Sequence, residues 1–279
     1  MTLVMGIVNV TPDSFSDGGR WFDEDAAVAH GLELARQGAD LVDVGGESTR
    51  PGAARPDVAE ETRRVVPVVD RLVQAGLRVS VDTMRTCVAR ACVERGAVLV
   101  NDVSGGLADP DMAGFVADAG VDYVAMHWRG HSADMQSRAV YDDVVADVRR
   151  ELGERVEELV AAGVARERIV LDPGLGFGKT AEHNWSLLAG LDRLSELGLP
   201  LLLGTSRKTF LGRLLAGPDG APAPPDARDA ATAATSVVCA QAGVWCVRVH
   251  DVPSTVAALR VVRAVSHAGA GAAAAGGSA

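Results

Sequence analysis

Ile169-Val-Leu-Asp-Pro-Gly-Leu-Gly-Phe-Gly-Lys-Thr180 is a short apolar run that enters an aspartate and then breaks into glycines. Apolar, β-branched residues without polar alternation read as a strand buried on both faces. Pro173 ends the run, because its nitrogen cannot donate to a sheet ladder. Asp172 is therefore a carboxylate at the carboxyl end of a buried strand, above a glycine-rich loop. It could simply cap the following helix, but the same arrangement recurs along the chain.

Upstream, Val4–Val10 reads as a strand with Asn9 at its end, followed by a loop carrying Asp13, Phe15 and Asp17. Helical spacing covers Asp25–Gln37, with Gly38 as the stop signal. Leu41–Val44 is a second strand that opens into Gly45-Gly-Glu-Ser-Thr-Arg-Pro-Gly52, and helix Val58–Gln74 comes next. Leu77–Asp82 and Val98–Asp102 are strands three and four, ending in Asp82-Thr83 and Asn101-Asp102, with a helix through Val88 between them. A short helix over Asp111–Ala119 leads to strand five, Tyr123–Met126, which runs into His127. Helix Asp142–Ala162 precedes the sixth strand, Ile169–Asp172. Downstream lie helix His183–Glu196 and strand seven at Pro200–Gly204, which runs into Thr205-Ser206-Arg207-Lys208. A loop at 217–227, helix Asp229–Gln241, strand eight at Val244–Val249 and helix Ser254–Val265 complete the pattern. Eight strands alternating with eight helices imply a parallel sheet, and eight units are the number that closes a (β/α)8 TIM barrel. An open doubly wound sheet would place a glycine-rich dinucleotide loop after its first strand. Asn9-Val-Thr-Pro-Asp-Ser14 is no such loop, so the barrel is expected.

One domain over residues 1–267 accommodates this pattern, followed by an Ala/Gly-rich tail at 268–279 that has nothing to pack and is expected to be disordered. A hydrophobic fraction of 48% with 23% charged residues is ordinary for a globular chain with a substantial core. The formal charge of −10 argues against a nucleic-acid surface, and an anionic substrate would need local cations. Cys87, Cys92, Cys239 and Cys246 form no CxxC pair, so they read as buried thiols in a reducing cytosol. No apolar run is long enough to span a membrane, and a strand begins almost at once, so a cytoplasmic location without membrane contact is expected.

In a barrel the carboxyl ends of the strands share one mouth, where chemistry is done. They supply Asn9, Asp82, Asn101, Asp172, Lys208, Arg248 and His250. One such residue is better read as a cap; seven on one rim are not. Asp82, Asn101 and Asp172 suit a flat ring that presents several N–H donors, because an unpaired buried partner costs about 1–3 kcal/mol. Lys208, Arg248 and His250 come from strands seven and eight, the usual phosphate corner of this fold. Asn9 could hold a magnesium ion whose other ligands are waters and substrate phosphates.

Several decoys compete. Pro173–Thr180 nearly matches the G-x-x-x-x-G-K-[ST] phosphate loop, but Pro173 replaces its first glycine and removes an amide from the cradle. His127 and His131 lack a glutamate in HExxH register and read as loop histidines. No G-x-S-x-G elbow surrounds Ser14, Ser48 or Ser206, which speaks against a serine hydrolase. Trp128 and Trp185 read as packing residues.

The loops Asn9-Val-Thr-Pro-Asp-Ser-Phe-Ser-Asp-Gly-Gly19 and Gly45-Gly-Glu-Ser-Thr-Arg-Pro-Gly-Ala53 closely resemble the two signature loops of the bacterial dihydropteroate synthase family. Ser80-Val-Asp-Thr83, Asn101-Asp-Val-Ser-Gly-Gly106, Asp172-Pro-Gly-Leu-Gly-Phe-Gly-Lys179, Ser206-Arg-Lys208 and Arg248-Val-His-Asp251 continue the likeness in order. The resemblance implies a pterin-binding barrel that condenses 6-hydroxymethyl-7,8-dihydropterin diphosphate with 4-aminobenzoate, giving dihydropteroate and diphosphate on the route to folate. It implies a pterin pocket of Asp82, Asn101, Met126, Asp172 and Lys208, and a diphosphate site of Arg248 and His250 with Asn9 beside magnesium. Phe15, Thr49, Arg50, Pro51 and Phe177 are the implied aminobenzoate walls; Asp82, Lys208, Asp17 and Arg50 are the implied catalytic set. Closure of the loops at 11–19 and 45–55 would exclude water from the activated pterin. A homodimer is also implied. Pterin-binding methyltransferases share the barrel and the Asp/Asn pocket, but would not be expected to carry the Ser-Thr-Arg-Pro loop together with Ser-Arg-Lys. A silent paralogue that only binds pterin is a further alternative.

Overall fold

The computed structural model describes residues 1–11, 24–47, 55–130 and 138–276, with side chains through residue 268. Asp13, Phe15, Asp17, Thr49, Arg50, Pro51 and His131 lie outside the described residues. The expected strands form as β1 (Leu3–Asn9), β2 (Leu41–Gly45), β3 (Val79–Asp82), β4 (Leu99–Asp102), β5 (Asp122–Met126), β6 (Ile169–Asp172), β7 (Leu202–Leu203) and β8 (Cys246–Val249). Their order is β6-β5-β4-β3-β2-β1-β8-β7, and every pairing is parallel. A parallel bridge between Leu171 and Leu201, with the Leu171 N–H donating to the Pro200 carbonyl at 2.9 Å, brings the chain entering β7 against β6 and closes the ring. This seam is the thinnest in the barrel. β7 has two residues, and both pair with β8.

The helices cover the outside: α1 (Glu24–Arg36), α2 (Val58–Gln74), α3 (Thr86–Val93), α4 (Met112–Ala119), α5 (Val144–Ala161), α6 (Ala181–Ala189), α7 (Leu191–Ser195), α8 (Thr209–Leu214), α9 (Asp229–Gln241) and α10 (Val252–Gly276). The single helix expected over His183–Glu196 is divided at Gly190, where a Cβ would sit 2.9 Å from Val145 Cγ1 of α5. α8 was not foreseen from the sequence. α10 runs past Val265 into the alanine-rich segment, in keeping with alanine's rank as the best helix former.

α2 also buries a charge. Glu61, fully buried, accepts from Thr83 Oγ1 at 2.6 Å and pairs with the Arg85 guanidinium, which in turn donates to the Pro56 carbonyl at 2.7 Å. These bonds tie α2 to the chain leaving β3 at Thr83 and Arg85, one and three residues beyond Asp82.

The barrel interior is layered. Residues two apart on a strand share a face, and the lower inward layer is an apolar cluster of Met5, Leu41, Leu99, Val124, Val170, Leu202 and Cys246. Two residues further along the same strands stand Asp43, Asn101, Met126, Asp172 and Arg248. Leu41 gives way to Asp43, Leu99 to Asn101, Val170 to Asp172 and Cys246 to Arg248. The lower layer packs as a hydrophobic floor, and the layer above it holds the ionisable groups.

Candidate active site

β2, β3, β4 and β8 bring four side chains into one network. Arg248 donates from Nε to Asp43 Oδ2 at 2.6 Å and from NH2 to Asp82 Oδ2 at 2.9 Å. Asn101 Nδ2 donates to the same Asp43 oxygen at 2.9 Å. Asp43, wholly buried, was not identified from the sequence, and it is the hub of this group. Its signal was present: a carboxylate inside an apolar strand must be paired, since an uncompensated buried charge is prohibitive. Arg248 therefore stands against two carboxylates, Asp43 and Asp82, with NH1 unbonded among the described residues.

Across the mouth, Asp172 is buried at the end of β6 and accepts from the Gly174 N–H at 2.7 Å. Gly174 has φ +68°, and a Cβ there would lie 2.6 Å from the His127 carbonyl oxygen, so the turn requires glycine. Lys208 reaches over this turn. Its Nζ donates to the Leu175 carbonyl and lies 4.5 Å from the centre of the Phe177 ring. Met126 is the β-ladder partner of Asp172 and is buried in the same wall. At the β8 end, the Ser206 hydroxyl accepts the His250 N–H at 3.1 Å and bonds Nδ1 at 2.8 Å. With the hydroxyl hydrogen directed at Nδ1, the ring carries its own hydrogen on Nε2; with Nδ1 as donor, the hydroxyl accepts from both nitrogens. Asn9, at the end of β1, is only partly buried.

The loop 173–180 is no phosphate cradle. The Gly174 N–H is taken by Asp172, Gly176 N–H donates to Asn184 Oδ1 at 2.7 Å, and Phe177 N–H donates to the Gly174 carbonyl at 3.1 Å. His127 lies in the loop after β5, as expected, but it is buried there, with both ring nitrogens engaged. Trp185 packs edge-on against Phe210, as expected of a packing residue. Cys92, Cys239 and Cys246 are buried thiols, whereas Cys87 is exposed on α3, contrary to the expectation for all four.

Burial governs the ionisation of the site. It pushes the Asp82 carboxyl up, against the pull of the Arg248 charge, and neighbouring Asp43 adds to the rise. It likewise raises Asp172, with Lys208 pulling the other way. Burial lowers the Lys208 ammonium to about 8, a shift that the Asp172 charge resists.

Among the described residues no cluster of three or more His, Cys, Asp or Glu could cage a metal ion. Asn9 offers one neutral oxygen beside the cationic corner, which fits magnesium held mainly by water and phosphate oxygens.

This geometry meets its counterparts among known proteins. The pterin binding enzyme family model matches residues 5–250. Dihydropteroate synthase of Mycobacterium leprae is 58% identical over 267 residues, covering 95% of this chain and 94% of that one. The chain belongs to the dihydropteroate synthase family. Among solved structures of the family, the Xanthomonas albilineans dihydropteroate synthase with 4-aminobenzoic acid superposes with a TM-score of 0.87 at 50% identity, over 95% of this chain and 93% of that one. The Yersinia pestis dihydropteroate synthase in a sulfonamide drug complex gives 0.89 at 43% identity, over 95% and 94%. Both superpositions cover essentially the whole barrel of a dihydropteroate synthase. No helix among the described residues is long and apolar enough to cross a membrane.

Proposed function

We propose that the chain condenses 6-hydroxymethyl-7,8-dihydropterin diphosphate with 4-aminobenzoate, releasing diphosphate and 7,8-dihydropteroate. The observation that carries this reading is the polar upper layer of the barrel. Asp82, Asn101 and Asp172 present acceptors and one amide from three strands, while Lys208 and Arg248 supply the cations between them. A pterin ring is flat and carries several N–H donors, so its edge pairs with those acceptors while Met126 lies alongside. Arg248 and His250 hold the diphosphate through NH1 and Nε2–H. Asn9 would hold magnesium, which when bound supplies positive charge against the diphosphate. Phe177 forms one wall for 4-aminobenzoate; Phe15, Thr49, Arg50 and Pro51 are its other walls, with Asp17 and Arg50 assisting catalysis. The enzyme works in the cytoplasm as a homodimer.

The chemistry follows from the charges. An aryl amine carries a free lone pair at neutral pH and needs no base before attack. The difficult step is breaking the C–O bond to diphosphate. Arg248 and His250 stabilise the departing charge, and the Asp82 carboxylate stabilises positive charge on the pterin methylene. The amine nitrogen then bonds to that carbon as the C–O bond is lost, and its surplus proton passes to solvent, so no covalent enzyme intermediate is needed. Incubation with both substrates and magnesium should release diphosphate in step with dihydropteroate; binding of pterin without release would overturn the reading.

Two expectations follow at this site. Lys208 must be cationic to oppose Asp172, and burial sets its proton loss at about 8. For the free enzyme kcat/KM should therefore fall as pH rises through about 8, and in the acid direction it should fall once Asp82 takes up a proton. Bound anionic substrate favours the ammonium, so the alkaline limb of kcat should lie at higher pH than that of kcat/KM. A kcat/KM profile flat from pH 7 to about 10 would remove Lys208 from the reaction. Secondly, a sulfonamide mimics the aminobenzoate outline and should inhibit competitively with 4-aminobenzoate and not with the pterin. Competition with pterin diphosphate would misplace the Phe177 wall.

A further inference from the structure

Two residues have no place in the reaction so far: Lys179, which the sequence offers only as part of an imperfect phosphate loop, and His127. Both are 4% exposed, and they touch. Lys179 Nζ lies 3.0 Å from His127 Nδ1 and donates to the Phe177 carbonyl at 3.0 Å. On the far side of the ring, His127 Nε2 is 2.9 Å from Glu151 Oε2 of α5. Arg129 holds the same carboxylate, from Nε at 3.1 Å, and its guanidinium lies 3.9 Å from the Tyr141 ring centre. Tyr141 in turn donates its hydroxyl hydrogen to the Gly178 carbonyl at 3.0 Å.

The donors and acceptors fit in one way. A carboxylate can only accept, so His127 donates its Nε2 hydrogen to Glu151, and Nδ1 is left as an acceptor for a Lys179 N–H. Burial, reinforced by the Lys179 charge, lowers the His127 imidazole to about 4, which keeps the ring neutral and Nδ1 free to accept. The chain runs Glu151, His127, Lys179, Phe177 carbonyl.

What it holds is a turn with little support of its own. Gly174, Gly176 and Gly178 all adopt positive φ, so no sheet ladder can fix this stretch. Instead three side chains grip its carbonyls, two from outside and one from its own end: Lys208 at Leu175, Tyr141 at Gly178 and Lys179 at Phe177. Lys208 Nζ stands over the Phe177 ring, whereas Lys179 Nζ bonds the Phe177 backbone carbonyl. We propose that Lys179, aligned by Glu151 and His127, is a positioning residue that sets Phe177 for the aminobenzoate substrate, an inference that rests on the synthase reading above.

Lys179→Met keeps the length of the stem and removes the donor. Purified Lys179→Met enzyme should show a KM for 4-aminobenzoate raised at least about tenfold, as for a small misplacement of a substrate-positioning group. Its KM for the pterin diphosphate should stay within about twofold of wild type. Glu151→Gln, at the partly exposed outer end of the chain, should change the same constant in the same direction and by less. Parallel rises in both KM values, or none, would overturn the proposal. Nitrogen NMR of the wild-type histidines gives a reading independent of any variant: His127 should be protonated on Nε2 and bare on Nδ1, and the opposite tautomer overturns the proposal even where Lys179→Met fails to fold. Wild-type enzyme that makes no dihydropteroate sinks the synthase reading itself; wild-type turnover with unselective variants sinks only the positioning role.

Discussion

Lys208→Ala is expected to lower turnover by about 10²–10³-fold, the loss typical for one preorganised electrostatic group in a water-poor site. The ammonium does three things at once. It supplies the charge that opposes Asp172, it grips the Leu175 carbonyl, and it lies under the Phe177 ring. Alanine removes all three and leaves Asp172 buried with less compensation, so its carboxyl should take up a proton more readily and bind the ring N–H groups less well. Steady-state kinetics on the folded variant, with its melting curve as a control, measures the loss. Turnover within about threefold of wild type would take Lys208 out of the site.

The largest effect on stability is expected at Glu61 of α2. Glu61→Ala leaves the Arg85 guanidinium and the Thr83 hydroxyl without their acceptor. Breaking a buried pair by deleting one partner costs about 3–5 kcal/mol. For a chain of this size each kcal/mol lowers the melting temperature by about 2–4 °C, so a fall of roughly 10 °C is expected. Removing both ends in Glu61→Leu with Arg85→Leu should recover most of the loss, because no uncompensated charge then remains. A single-variant shift below about 2 °C, read by calorimetry, would mean that solvent already compensates the pair.

The sequence was informative wherever burial and breakers coincide. Ile169–Asp172, Val58–Gln74 and Asp229–Gln241 form with the expected bounds, since each is an unbroken apolar or periodic run between strong stop signals. Asp82, Asn101 and Asp172 were legible as polar residues at the ends of such runs. Asp43 was not, because strands buried on both faces hide the alternation that separates barrel interior from helix-facing side, and one aspartate in Leu-Val-Asp-Val is easily passed over. α8 has six residues, too few for a helical period to emerge. Lys179 and His127 belong to separate loops, and their contact is set by the close approach of Gly174 to the His127 carbonyl, which no local pattern encodes. Phe15, Thr49, Arg50 and Pro51 stand on family resemblance and lie outside the described residues.

The thin seam between β6 and β7 has a dynamic consequence. Amide hydrogen exchange samples local opening, and the elements with the fewest pairings open first. Leu202 and Leu203 have a full ladder on one side only, so their neighbourhood should exchange sooner than β1, which is paired along its length with β2 and β8. Asp172 and Lys208 stand on opposite banks of that seam, and the Lys208 bond to the Leu175 carbonyl already crosses it. A pterin gripped by both would act as an added rung, completing by ligand a ring that the backbone closes with one bridge. Part of its binding energy would then appear as slower exchange in β7, at amides the pterin never touches.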